Sequence, residues 1–411
     1  MNLVPVSIDS IRLGQPLPFP LMDKDGTLLA RKAFVIATRR ELDEISQRGG
    51  GLFIDVADSE ARHRAYVEHL YDLVREDKSI GEIAGTQITN DSASERQAEQ
   101  DDRMDWLDLQ EIANSLLRDN QPASFADRLT RLLRQLERHT QRNPDGTLFA
   151  LIYLSATDPR MYSATHAMLV SVMCRLAAKD VLNWSADDQS LVMRAALTMN
   201  VSMTELQDRL ALQAEPLSAA QRAAIDSHAH RSAELLRGLG VGDHDWLEAV
   251  NGHHSQAAGP LAPRPRALRA ARLIQRADMF AARLAPRASR APLAPAAAMQ
   301  ACYFDENKAI DEAGAALIKA VGIYQPGSFV RLATNEIAIV IKRGANTTTP
   351  RVAVLLNRAG LATVEPTIRD TGLKDHRIVA SVPHRDVKVQ INLERLLPLT
   401  AAPASDLSLI H

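Results

Sequence analysis

Residues 194–203 read RAALTMNVSM, and this stretch decides the interpretation of the central part of the chain. Just before and within it, Leu191, Ala195 and Met199 recur every four residues, which is the period of a helix with one buried face. We therefore predict a helix that ends near Met199, with Asn200 beginning the next turn. The residues on the neighbouring segments give this stretch its importance for the function.

Residues able to bind a metal occur on the helical segments around this stretch. His166 shares a face with Leu169, and a capping box of Ser218 and Gln221 begins a later helix that carries a histidine on its apolar face. Two adjacent histidines lie at the end of a further helix, and an aspartate faces inward on the next. The candidate metal ligands, in chain order, are His166, His228, His253, His254 and Asp278. Their placement predicts a helical bundle with a polar centre.

Each of these residues also has a purely structural interpretation. A histidine on an apolar helix face is commonly a hydrogen-bonded core residue, and a single aspartate is commonly a cap or an ion-pair partner. The number and order of the residues favour a shared site. The pair His253-His254 carries the most weight, because adjacent imidazoles at a helix end can face a metal and a substrate at once.

The order of these residues resembles the HD-GYP family, a branch of the HD phosphohydrolase superfamily. Residues 274–295, IQRADMFAARLAPRASRAPLAP, are similar to the family's Val-Ala-Asp helix, and residues 324–344, YQPGSFVRLATNEIAIVIKRG, to its C-terminal β segment. The resemblance covers about residues 150–345. It implies an HD-type bundle of the kind that hydrolyses cyclic di-GMP with two or three bound metal ions.

The chain departs from the family pattern at the positions where the chemistry occurs. Met199-Asn200 replaces the family's His-Asp pair, Met203 replaces a lysine, and Ser255 replaces a glutamate, while the Gly-Tyr-Pro loop is absent. A methionine thioether is a soft ligand that does not suit Fe, Mn or Mg, and a neutral amide does not bridge two cations as a carboxylate does. The substitutions predict that ordinary two-metal hydrolysis is lost.

Part of the family's metal site is still present in this sequence. His166, His228, His253, His254 and Asp278 are enough to hold one divalent ion, Fe, Mn or Zn, or they are remnants without a metal. If the chain is an enzyme, His253 or His254 is the candidate acid or base.

Three arginines near the missing loop are weak candidates for a ligand-binding role. Arg264, Arg266 and Arg269 could donate to phosphate groups in bidentate fashion, although an Arg/Pro/Ala stretch is also typical of a solvated loop.

The wider pattern predicts a multidomain α+β protein with a central all-α HD-type helical bundle, flanked by small, mostly β segments at both ends. Asp25-Gly26 marks a hairpin, and 37–49 predicts a short helix. Alternating segments after 322 predict strands, the last of them in VKVQINLERLLPL. The predicted segments are 1–57 (mostly β), 58–103 (a helix and a polar linker), 104–321 (lead-in helices and the bundle), 322–400 (β) and 401–411 (a tail).

Composition excludes several classes of protein. The chain has 411 residues, 46% of them hydrophobic, and a formal net charge of −2. This charge gives no global basic field for nucleic acid, and no apolar run reaches the roughly 20 residues that span a bilayer. Two cysteines allow at most one disulfide. We expect a soluble, cytoplasmic protein with no nucleic-acid partner and no membrane insertion.

Two functional interpretations compete. The first is a non-catalytic bacterial signalling protein whose degenerate domain binds cyclic di-GMP or a partner such as a GGDEF-domain protein, as the resemblance implies. The second is a phosphodiesterase or phosphohydrolase with a reduced, single-metal site. The oligomeric state is left open by the sequence.

Overall fold

A computed structural model describes two parts of the chain. In the first part it describes residues 3–5, 11, 17, 21–24, 27–30, 34–36, 38–48 and 51–55; in the second it describes 105–401 except 120, 158–160, 286–287, 289–292, 390 and 392. The chain divides into two compact units, 1–97 and 98–411. The predicted helix and linker of 58–103 and the predicted tail lie outside the described residues.

The N-terminal unit contains a small antiparallel sheet and one helix. Its elements are β1 (Leu3–Pro5), β2 (Leu21–Met22), β3 (Leu28–Ala30), α1 (Arg39–Arg48) and β4 (Phe53–Asp55), with strand order β1-β4-β2-β3. The predicted helix is confirmed as α1, and β2 pairs with β3 around the predicted turn, although Asp25-Gly26 itself lies outside the described residues. Leu21, Ile36 and Leu42 are fully buried and belong to the core of this unit.

The second unit is mostly helical. Its helices are α2 (Trp106–Arg118), α3 (Pro122–Arg142), α4 (Pro144–Thr157), α5 (Tyr162–Asp180), α6 (Ala186–Thr198), α7 (Thr204–Leu212), α8 (Ala219–Gly238), α9 (His244–Gly252), α10 (Arg266–Leu284), α11 (Pro295–Tyr303), α12 (Glu312–Val321) and α13 (Leu393–Ala401). A helical bundle with small β segments toward both ends of the chain is the predicted fold class, and it is confirmed.

Helix α5 is the centre of the bundle. Every residue from Tyr162 to Ala178 is buried, because α2, α4, α6, α7, α10 and α12 all pack against this helix. A helix that is surrounded on all sides needs no polar stripe, so apolar and small residues dominate its sequence. The few polar residues inside it, His166 among them, must therefore find partners in the interior.

A five-stranded antiparallel sheet follows the bundle. Its strands are β5 (Phe329–Leu332), β6 (Ile337–Lys342), β7 (Arg351–Leu356), β8 (Ala362–Asp370) and β9 (Ile378–Val382), in the order β8-β7-β6-β5-β9. One glycine fixes its approach to the bundle: Gly327 has φ +87°, and a Cβ there would lie 2.7 Å from the Phe149 carbonyl oxygen in α4. Only glycine suits both conditions.

The last predicted strand was wrong. All of LERLLPL lies in helix α13, which packs on α4 and β6. Leu393, Leu396 and Leu397 have the i, i+3, i+4 spacing of a helix face, and Leu396 is buried in the core between the sheet and the bundle. This helical period prevailed over the alternation of the preceding residues.

Among the described residues, none of the helices has both the length and the apolar character needed to cross a bilayer. Cys174 and Cys302 are buried, unpaired thiols.

Candidate metal centre

The bundle brings three of the predicted ligands together. His228 lies in α8, and His253 and His254 directly follow the end of α9. One nitrogen from each ring lies within 4.8 Å of the others. His228 and His253 are buried, while His254 is exposed, so the cluster is closed on one side and open on the other.

Hydrogen bonds fix the tautomers of the two buried rings. His228 Nδ1 lies 2.5 Å from the Ile225 carbonyl oxygen, and His253 Nδ1 lies 2.6 Å from the Val250 carbonyl oxygen. A carbonyl oxygen only accepts, so each Nδ1 must carry the hydrogen and donate it. In the neutral ring Nε2 is then a bare lone pair. Metal-binding histidines typically have this arrangement, with the second ring nitrogen donating to a carbonyl.

Both buried rings are held in the neutral form. Burial lowers the pKa of His253 to about 3, assisted by the nearby His254. Burial also lowers the pKa of His228, against the effect of its hydrogen bond to Ile225. Neutral imidazole is the form that binds a metal.

The two bare nitrogens face each other. His228 Nε2 and His253 Nε2 are 3.2 Å apart, and neither has a hydrogen to donate to the other. Two lone pairs at this distance repel unless a cation lies between them. With metal–nitrogen distances of about 2.0–2.1 Å, two ligands of a tetrahedral ion are about 3.3 Å apart. The donor set therefore fits one borderline divalent ion, such as Zn or Fe.

His166 and Asp278 form a pair beside this cluster. His166 Nε2 lies 2.7 Å from Asp278 Oδ1, and His166 Nδ1 lies 3.4 Å from the Tyr162 hydroxyl. Burial works to raise the pKa of Asp278, but the hydrogen bond to His166 and the charge of that ring hold it well below its usual range. Asp278 also acts electrostatically on His253 and His228. The structure thus pairs these two predicted ligands with each other.

The degenerate positions lie where α6 ends. Met199 is fully buried in the bundle core, and Asn200 is 9% exposed. Within the described residues, Asn200 Oδ1 is buried without a hydrogen-bond partner. Met203 closes a short 3₁₀ turn, and Ser255 is exposed next to the histidine pair. None of these four side chains supplies a carboxylate.

Two hydrogen-bonded serines that support the backbone of α8 at His228 were not predicted from the sequence. The Ser202 hydroxyl donates to the His228 carbonyl oxygen at 3.0 Å, and the Ser232 hydroxyl donates to the Ser202 hydroxyl, also at 3.0 Å. The available signal was the position of Ser232, one helical turn after His228 on the same face.

The three candidate phosphate-binding arginines are engaged within the protein. Arg264 donates to carbonyl oxygens of its own loop, including that of Ala257 at 2.7 Å. Arg266 pairs with Asp188 at 2.5 Å, and Arg269 lies 4.0 Å from the same carboxylate. The geometry gives a structural role to all three, and contact with phosphate remains a prediction.

A second group of metal-capable residues lies at the start of α9. His244 is the first residue of this helix, and one ligand atom of each of His244, Asp245 and Glu248 falls within 4.8 Å of the others. The His244 side chain is 87% exposed, and Asp245 lies 3.4 Å from Arg266. Because His244 is exposed and the Arg266 guanidinium already lies near the Asp245 carboxylate, we interpret this group as a solvated helix end.

Comparison with known proteins gives a likeness in structure and none in sequence. No protein-family model matches the sequence, and no curated protein matches it. Among solved structures, Bd1817, an HDG"Y"P protein from Bdellovibrio bacteriovorus, is similar over 77% of this chain and 98% of its own, with 15% identity and a TM-score of 0.40. At that identity and TM-score the two chains share only a broad similarity in structure, and no function follows from it.

Proposed function

We propose that this chain is a signalling protein whose helical bundle is a degenerate HD-GYP-type domain. In this proposal the bundle binds one divalent metal ion through His228, His253 and His254. It does not perform two-metal hydrolysis, and it acts as a binding or protein-interaction module.

The facing nitrogens of His228 and His253 carry the metal part of the proposal. Both rings are neutral, both donate through Nδ1, and the remaining lone pairs lie 3.2 Å apart. A core that only needed hydrogen-bonded histidines would not place two acceptors against each other. A bound cation accounts for the arrangement, and the exposed His254 supplies a third nitrogen.

The residues at 199–200 support the non-hydrolytic part, because neither Met199 nor Asn200 carries a carboxylate. A two-metal site needs an anionic oxygen between its ions, and Met199-Asn200 occupies the position that the sequence resemblance assigns to that ligand. Asp278 is the carboxylate that the resemblance places in the site, and it is hydrogen-bonded to His166. One ion held by three imidazoles remains.

The ligand side of the proposal rests on the sequence resemblance. It names cyclic di-GMP, or a protein partner such as a GGDEF-domain protein, as what the module recognises. The open side of the cluster, where His254 is exposed, is the side from which a ligand would reach the ion.

Elemental analysis and titration calorimetry test the proposal together. The purified full chain should hold about one metal ion, a His253→Ala variant should hold less, and cyclic di-GMP should give binding heat without turnover when Mn or Fe is added. Absence of metal in the full chain after loading would overturn the metal site. Absence of heat at high micromolar cyclic di-GMP would leave only the protein-interaction version.

The exposed imidazole favours a second candidate, a hydrolase with a single metal. His254 lies on the open side of the cluster, where a side chain could exchange protons with a substrate. This candidate predicts turnover of a phosphodiester that depends on added metal and falls in His254→Ala. Metal binding without any turnover would reject it.

A further inference from the structure

His254 differs from the other two imidazoles in how it is held. The His228 and His253 rings are each fixed by a hydrogen bond to a carbonyl in their own helix. Within the described part of the chain, the His254 ring has no bond of that kind. Apart from its ring contacts with His228 and His253, its position therefore depends on the backbone of the turn that follows α9, where Ser255 N donates to the Gly252 carbonyl oxygen at 3.1 Å.

Two side chains of α10 hold this turn. Gln275 Nε2 donates to the His254 carbonyl oxygen at 3.2 Å, and Arg272 Nη1 donates to the Gln256 carbonyl oxygen at 2.8 Å. The two side chains are also joined, since Arg272 Nη1 donates to Gln275 Oε1 at 2.8 Å. A guanidinium only donates, so it fixes Oε1 as the acceptor and turns the Gln275 amide nitrogen toward His254.

Arg272 is held in turn by two carboxylates. Its side chain is fully buried, as is Asp311, to which it donates through Nε at 3.0 Å. The second carboxylate, Glu306, lies 3.1 Å from Arg272 Nη2 and 2.8 Å from Arg276 Nη2. Two buried guanidinium groups need two negative charges to be stable in the interior, and Asp311 provides only one.

Glu306 is the exposed member of this network. Its side chain is 51% exposed, against 2% or less for Arg272, Arg276 and Asp311. It lies on a surface loop whose ends are joined by the bridge between Phe304 and Ile310. A change at the surface can therefore reach the His254 turn through Glu306, Arg272 and Gln275.

We propose that Arg272 and Gln275 are positioning residues for the metal ligand His254, and that Glu306 adjusts them from the surface loop. This inference rests on the proposed metal site. It goes beyond that site by naming the residues that set its affinity and the loop through which the affinity changes.

The test compares matched variants of the full chain loaded with Co²⁺. Gln275→Met keeps the size and neutrality of the side chain and removes both hydrogen bonds. It should weaken Co²⁺ binding about 10- to 100-fold, as is typical when a group supporting a metal ligand is lost, and should change the visible absorption of the bound ion. Glu306→Gln should change both in the same direction and by less.

Gln189→Met is the control. Gln189 Nε2 donates to the Trp184 carbonyl oxygen at 2.7 Å, the same kind of bond on a helix that carries none of the three imidazoles. This variant should leave the Co²⁺ affinity and spectrum unchanged even if it lowers the free energy of unfolding. Equal effects of the two glutamine variants would reduce Gln275 to a general structural role and overturn the inference.

A metal-free measurement separates the two proposals. In chelator-treated protein, the NMR signals of the His254 ring should shift in Gln275→Met and stay in place in Gln189→Met. If the wild-type chain binds Co²⁺ and Gln275→Met leaves both affinity and ring signals unchanged, the inference fails alone. If the wild-type chain does not bind Co²⁺, the metal site and the inference fail together.

Discussion

The low pKa of His253 makes the metal-free protein sensitive to mild acid. The folded pKa is about 3 and the ordinary value is 6.5, so below pH 6.5 the unfolded chain takes up a proton that the folded chain refuses. The contribution of neutral His253 to the free energy of unfolding is therefore fully present above pH 6.5 and is lost as the pH falls toward 3. Each pH unit in this window is worth about 1.4 kcal/mol.

Between pH 7 and pH 5 the expected loss from His253 is about 2 kcal/mol, a large share of a typical free energy of unfolding of about 5–15 kcal/mol. The assay is urea unfolding with a chelator at both pH values, for the wild type and for His253→Asn. The variant should have a lower free energy of unfolding at pH 7, because the smaller amide leaves space in a fully buried site, but it should lose about 2 kcal/mol less between the two pH values. An identical loss in both proteins would refute the burial of a neutral imidazole at this position.

Three further predictions concern the surroundings of the site. Met199→His combined with Asn200→Asp should raise the metal content from one ion per chain toward two, measured by elemental analysis; an unchanged content would contradict the alignment of this pair with the family's ligands. Asp278→Asn should lower the free energy of unfolding by about 1–3 kcal/mol, because it removes the ionised partner of a buried histidine, and unchanged urea unfolding would speak against that pair. Gly327→Ala should lower the free energy of unfolding by about 1–3 kcal/mol because of the strained φ, and by more if the contact with Phe149 does not relax. Urea unfolding unchanged from the wild type would argue against the close approach of α4 and the sheet.

Much of the secondary structure could be predicted because its signals are local. Helix periods, the Ser218 capping box and the hairpin around β2 and β3 depend on residues a few positions apart. The helix α13 was missed because its leucines follow an alternating stretch, and because its buried face forms by contact with α4 and β6, which are distant in the sequence.

The sequence indicated part of the histidine cluster but not the arrangement of the predicted ligands around it. The order of the histidines indicated a common interior, and three of them do converge. Sequence could not reveal that His166 satisfies Asp278, because the pairing depends on how α5 and α10 pack across 112 positions of chain. The hydrogen bonds from Arg272 and Gln275 in α10 to the His254 turn could not be predicted for the same reason. The sequence of a helix does not show which distant carbonyl oxygen a side chain will contact.

The most direct test of the central claim is the X-ray absorption spectrum of the full chain loaded with Zn²⁺. The expected result is at least three imidazole nitrogens around the ion at about 2.0–2.1 Å. A chain that retains no Zn²⁺, or a spectrum without imidazole scattering, would contradict the cation between His228 and His253.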